Sequence, residues 1–299
     1  MTGPATAADL HDLLRLWSDT FPELIPPELS TAVAEGRVVA LRGPSGLVGA
    51  AVCGPAGEDP RERLLTVVAG AADAWLEAEA AATGGPLGRG VDRWHVTVRE
   101  DSALVVAGLQ RAGYAVTGRS WGAQLDAEDV DVDAAHRRVE AAAACGFVLR
   151  QLGSGDAAAA HRLVQECRAD FPASPATPAP DLGLDEVTGF AAGPGRAAFG
   201  VTAPAAQGRR LVAVTLLEVD DDGRSADTEL TAVAADHRGR GLATALKALA
   251  VVVLLSRGVR TFRTGGAAVA EASLRANRAL GYRLEPQWLT WTRAVGPAP

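Results

Sequence analysis

Two groups of residues in the second half of the chain have types and spacing suited to chemistry. The first is Arg238, Gly239, Arg240, Gly241, Leu242 and Ala243, which open a long apolar run. A helix starting here leaves its first N–H groups without acceptors, and the glycines let backbone approach a ligand closely. Such a start suits a pyrophosphate, because the N–H groups and the helix dipole both favour negative charge. The side chains of Arg238 and Arg240 can add ionic contacts, or simply face solvent. The second group is Asp227 and Glu229, two apart on a strand-like run and so on one face of it. A carboxylate whose pKa is raised by burial can take the proton of an amine. Glu218 and Asp220 are rivals for that role, and Glu229 is preferred; the plain alternative is the polar face of a strand.

Other motifs narrow the classes. G-R-G-L-A-T lacks the third glycine of a dinucleotide fingerprint, and the absence of G-x-x-x-x-G-K-[ST] excludes a P-loop. His11, His95, His136, His161 and His237 show no metal-ligand spacing. Cys53, Cys145 and Cys167 form no CxxC, which predicts reduced thiols and no metal. No serine sits in a nucleophile-elbow context. The tryptophans read as core or interface anchors.

Composition sets the outer bounds. The chain has 299 residues, enough for two cores, and is 48% hydrophobic. No apolar run reaches the roughly 18 residues of a membrane span. MTGPATAADLHDLL lacks the basic start and apolar core of a signal peptide, so a cytoplasmic protein is expected. Lys247 is the only lysine; with the wealth of Arg, Ala and Gly, this fits the coding bias of a GC-rich bacterium. Residues 1–146 carry 21 acidic and 12 basic side chains, a net of −9, against 15 and 17 in residues 147–299, a net of +2. The half with the glycine pair is the basic one, as an anionic ligand prefers. The acidic balance of the other half argues against nucleic acid as a partner.

The elements that must position these residues form a repeated plan. Residues 9–17 read as an amphipathic helix, with Arg37–Leu41 and Leu47–Val52 as a hairpin. Residues 60–82 read as one long Ala-rich helix, followed by strand Val91–Val98, helix 102–112 and strand Tyr114–Leu125. In the second half, Phe147–Gln151 reads as a strand, Asp156–Asp170 as a helix ended by Phe171-Pro172 and a Pro-rich loop, and Arg196–Thr202 with Arg210–Val219 as a hairpin. A strand ending at Val233, a helix over 241–257, a strand over 259–263 and a helix through Asn277 complete it. Phe21-Pro22 matches Phe171-Pro172, and Gly113-Tyr114 matches Gly281-Tyr282, so the chain reads as an internal duplication. The division is 1–126, linker 127–146, and 147–299. The helix after Gly241 is apolar nearly all round, so a second surface must cover it: the N-terminal half, or a second copy in a homodimer.

The R-x-x-G-x-A pattern at 238–243 and the element order after it resemble the acyl-CoA loop and C-terminal half of the GCN5-related N-acetyltransferase (GNAT) superfamily. The resemblance covers 147–293 well and 1–126 in outline. It implies an α/β fold of two tandem GNAT-like domains, each a mixed twisted sheet flanked by helices. The first would be a degenerate copy, since 54–65 offers neither the loop motif nor a full fourth strand. It implies acetyl-CoA, or another acyl-CoA, as co-substrate, with the N–H groups of 238–243 on its pyrophosphate. Val233 would pair its backbone with the pantetheine arm, Asn277 would hydrogen-bond the cofactor, and Glu229 or Asp227 would act as base. The family's second half departs here: Gly266 and Ala270 replace two asparagines. Asn277 stands where many members carry a tyrosine acid, and Tyr282 matches the structural aromatic, so no acid is visible. The implied activity is N-acylation of a primary amine of a small molecule. The alternatives are a CoA-binding regulatory module without turnover, and a thioester decarboxylase or hydrolase on the same fold.

Overall fold

Glycines and prolines cut the chain into short strands and amphipathic helices. The computed structural model describes residues 1–22, 26, 28–57, 59–172, 180–204 and 210–295; most of the expected Pro-rich loop, at 173–179, lies outside them. The first elements are β1 (Thr2–Pro4), α1 (Leu10–Thr20), α2 (Leu29–Ala34), β2 (Val38–Gly43), β3 (Gly46–Pro55) and β4 (Glu62–Ala69). Then come α3 (Ala72–Gly84), β5 (Arg93–Arg99), α4 (Ala103–Arg111), β6 (Ala115–Asp126), α5 (Val132–Ala144) and β7 (Val148–Gln151). They are followed by α6 (Ala157–Cys167), α7 (Leu184–Ala192), β8 (Arg196–Thr202), β9 (Leu211–Val219) and β10 (Ser225–Val233). The chain finishes with α8 (Leu242–Ser256), β11 (Thr261–Ala267), α9 (Glu271–Arg278), β12 (Arg283–Leu284) and β13 (Trp288–Ala294). No helix among the described residues is long and apolar enough to cross a membrane.

Two compact units result, and they do not follow the halves of the sequence. One comprises residues 1–119 with 286–299, the other residues 120–285. In the first, the strands run β1-β2-β3-β4-β5-β13, antiparallel except for β4 with β5, which are parallel over Glu62–Leu64 only. In the second, the order is β7-β8-β9-β10-β11, closed by residues 120–126 of β6. Each unit thus takes its last long strand from the other half of the chain. Alternating side chains mark β6 and β13 as strands but do not say which neighbour each will pair with.

One expectation needs correction. Residues 60–82 are not one helix: β4 occupies 62–69, so the first unit does have a full fourth strand, and α3 begins only at Ala72. Thr66, Val67 and Val68 are β-branched or adjoin such residues, strand neighbours lie on both sides, and Gly70 breaks the run before the Ala-rich stretch. The apolar helix is covered in part by a segment the sequence reading assigned to a linker. That segment is α5, capped by Asp131 and packed on α8 within the second unit. Between the sheet and α5, Leu242, Leu246, Ala248, Val251 and Leu254 are buried, while Val252 and Leu255 remain half-buried. Burying side chains of this size stabilises by about 1.5–3 kcal/mol for each large one.

Candidate functional site

The second unit leads β10 away from its pairing with β11 and up to the start of α8. β10 and β11 are parallel neighbours over Ser225–Asp227 and Thr261–Arg263 and then part. Beyond that fork, β10 continues to Val233 paired only on its β9 side, and leads into a tight turn at Ala235–His237. The turn is pinned. Asp236 meets Nδ1 of buried His237 at 2.8 Å and accepts from Arg210 at 2.5 Å, which together hold its carboxyl down at about 2.

The glycine pair then does what its spacing suggests. Gly239 and Gly241 both take φ of +74°, the left-handed region, and Gly241 is the N-cap of α8. Alternating left-handed residues turn successive N–H groups to one side, a concavity that binds anions. Ala245 is the first to bond back, to Gly241 O at 3.0 Å, and no acceptor among the described residues meets the N–H groups of 239–244. A Cβ at either glycine would meet nothing within 4 Å, so the cradle is open. The first turn of α8 carries no acidic residue, Leu242 is buried beneath it, and Ala243 is half-buried.

The two arginines do not both point into this cradle. Arg238 folds back: Nε donates to Val233 O at 3.0 Å and Nη2 reaches Asp170 at 2.5 Å. Cys167 Sγ also meets Val233 O, at 3.5 Å. The carbonyl expected to pair with a pantetheine arm is therefore engaged, beside a cavity of about 240 Å³ lined by Cys167, Asp170, Arg210, Asp236 and Arg238. Arg240 is exposed, its Nη2 3.3 Å from Asp236 O.

The carboxylates sit at the fork. Asp227 is in the last pair with β11, and Glu229 falls in a register shift between Thr228 and Leu230, a bulge that displaces it from the ladder. Solvent reaches both side chains, yet surrounding protein removes enough water to raise both pKa values. Desolvation is the main cause for each; Glu218 raises Glu229 further and Arg196 opposes, while Arg263 opposes at Asp227. The rivals are otherwise engaged. Glu218 is bonded to Arg196 at 2.9 Å, and Asp220 accepts from the N–H groups of Arg224 and Ser225 in a turn, which lowers its pKa.

Asn277 lies in the interior of the second unit. It is fully buried, accepts from Lys247 Nζ at 2.7 Å and donates to Ser273 O at 3.1 Å. Lys247, which the sequence reading passed over, also donates to Thr264 Oγ1 at 3.1 Å and lies 5.7 Å from the centre of the Tyr282 ring. Burial pushes its pKa down to about 7. One signal for it was available: it is the only lysine, and it interrupts an otherwise apolar run.

No protein-family model and no curated protein matches the sequence. Solved structures do. A GCN5-related N-acetyltransferase from Sphaerobacter thermophilus superposes with a TM-score of 0.66 at 13% identity, covering 100% of this chain and 96% of that one. A tandem GNAT protein from the clavulanic acid biosynthesis pathway gives 0.62 at 20% identity, with coverage of 100% and 99%. A third GCN5-related N-acetyltransferase, from Kribbella flavida, gives 0.51 at 14%, with 98% and 70% covered. The chain has the tandem GNAT fold, a mixed α/β architecture present twice.

Proposed function

We propose that the protein is an acyl-CoA-dependent N-acyltransferase that modifies the primary amine of a small molecule, with acetyl-CoA as the first acyl donor to test. The observation that carries this reading is the open row of N–H groups at 239–244, set by two left-handed glycines past the end of the strand that forks from β11. These groups would hold the pyrophosphate, and the bound thioester supplies an activated carbonyl. Glu229, displaced by its bulge and raised in pKa, would take the proton of the incoming amine, with Asp227 as its neighbour on the same face. Arg238 would have to release Val233 O for a pantetheine arm to pair there. We place the reaction in the cytoplasm.

A second reading is a CoA-binding module without turnover. It is favoured by the engaged Val233 carbonyl and by the loss of Asn277 to the interior. Free thiol measured while candidate amines are added to enzyme and acetyl-CoA separates the readings. Amine-dependent release supports transfer, amine-independent release indicates a hydrolase or decarboxylase, and binding with no release indicates a module.

A further inference from the structure

Lys247 lies on α8 six residues past Gly241, about 9 Å along the helix from the anion cradle. Its residue is 5% exposed, and its described partners, Thr264, Asn277 and the Tyr282 ring, are all neutral. No carboxylate among the described residues pairs with it. A buried cation without a counter-charge is costly and is seldom retained for packing alone. Its place adds meaning: Thr264 is the first residue of β11 beyond the fork, and the next two, Gly265 and Gly266, put no side chain into the widening gap.

We propose that Lys247 receives a carboxylate at the far end of the acyl chain, so that the preferred donor is the CoA thioester of a dicarboxylic acid. This rests on the reading of the α8 start as the CoA site and names the acyl class that site takes. Phosphates at the helix start and an acyl end at the fork lie along one helix. Thr264 and Asn277 hold the amine in place, and the ligand brings the negative charge that the protein omits. Among the described partners of the amine, only the Tyr282 phenol titrates, and burial pushes it up so that it stays neutral. Asp227 is felt at that phenol, and Arg263 on β11 is exposed. An amine that burial holds near 7 is largely neutral at pH 8, so an arriving carboxylate draws a proton onto it.

Calorimetry on the full chain at pH 8, in two buffers of different ionisation heat, tests this with CoA, butyryl-CoA and succinyl-CoA. Succinyl-CoA should bind about tenfold or more tighter than butyryl-CoA, the gain that linkage gives once the carboxylate lifts the amine's pKa well above the working pH. It should also take up about one proton more. The wild-type preference should shrink as pH rises further, because the proton becomes harder to supply. Lys247→Met should abolish the preference and the extra proton uptake. Equal binding of the two thioesters, a preference that survives in Lys247→Met, or the absence of extra proton uptake overturns the proposal alone. Failure of CoA itself to bind, or CoA binding indifferent to Gly241→Glu, overturns the cofactor reading and this proposal with it.

Discussion

The two units build the same strand–helix–strand device and finish it differently. In both, parallel strands pair for three residues and part. In the first unit, β4 turns into α3 through Gly70 and Ala71 alone, and Asp73 places a negative charge in the first helical turn. In the second, eight residues lead into α8, two of them left-handed glycines, and the first turn carries no acid. An anion would meet repulsion at one helix start and an open row of donors at the other. Beyond the fork, β4 presents Leu65, Thr66, Val67 and Val68, whereas β10 presents Glu229. Deeper in, each long helix buries a charged group beside the tyrosine of a Gly-Tyr pair. Glu79 is compensated by Tyr114 at 2.9 Å and Arg293 at 2.6 Å, while Lys247 has no counter-charge among the described residues. The first unit has been closed into structure; the second has been left with unmet bonding capacity.

The largest effect should come from the carboxylate that only β10 carries. Glu229→Gln should lower kcat by roughly 10²–10⁴ with little change in CoA affinity, as removal of a general base does. A loss under about threefold, far below that range, would move the role elsewhere. Because its pKa is raised in the folded protein, the wild-type rate should fall as pH drops through that raised value.

The buried charges should respond oppositely. Glu79→Gln leaves Arg293 without its anion, and breaking such a pair costs about 3–5 kcal/mol. Lys247→Met removes an uncompensated amine and should stabilise, relief of that desolvation outweighing the loss of the donor to Asn277 Oδ1, which costs about 1–3 kcal/mol. The sign with pH follows from the depressed amine: between about 7 and its unfolded value of 10.5 the unfolded chain binds more protons, so wild-type stability rises with pH. The advantage of Lys247→Met should therefore shrink from pH 7 to pH 10 in thermal melts. Destabilisation by both variants would erase the contrast.

How much of this could be read from the sequence depended on how local the signal was. The glycine pair, the hairpins and α8 were legible because turn residues and apolar periodicity lie within a few positions of one another. β4 was not, because its β-branched signal is short and the Ala-rich stretch after it dominates the composition. Lys247 and Asn277 looked like polar residues on helix faces, and only the packing of α8, β11 and α9 makes them partners. The exchange of β6 and β13 has no local signature, which is why 127–146 read as a linker although α5 within it covers α8. Removing that cover is a direct check: residues 147–299 alone should melt lower, or aggregate, relative to residues 120–285. A monomeric 147–299 fragment of equal melting temperature would show that α5 and strand 120–126 are dispensable.

A smaller effect should follow from the latch on Arg238. Asp170→Asn frees the guanidinium for phosphate, and an exposed pair of this kind is worth about 0.2–1 kcal/mol. CoA affinity should rise by up to about fivefold, as that energy allows. Weaker binding would mean that Asp170 holds Arg238 where the ligand needs it.

The difference between the two helix starts is tested most directly by counting. Calorimetric titration of the full chain with CoA should give one site per chain. Gly241→Glu should abolish it, through repulsion and the strain of a side chain at φ of +74°. Gly241→Asn, which tolerates that backbone, should retain measurable binding, and Gly70→Ala in the first unit should change nothing. Two sites per chain, or an affinity unaltered by Gly241→Glu, would contradict the account.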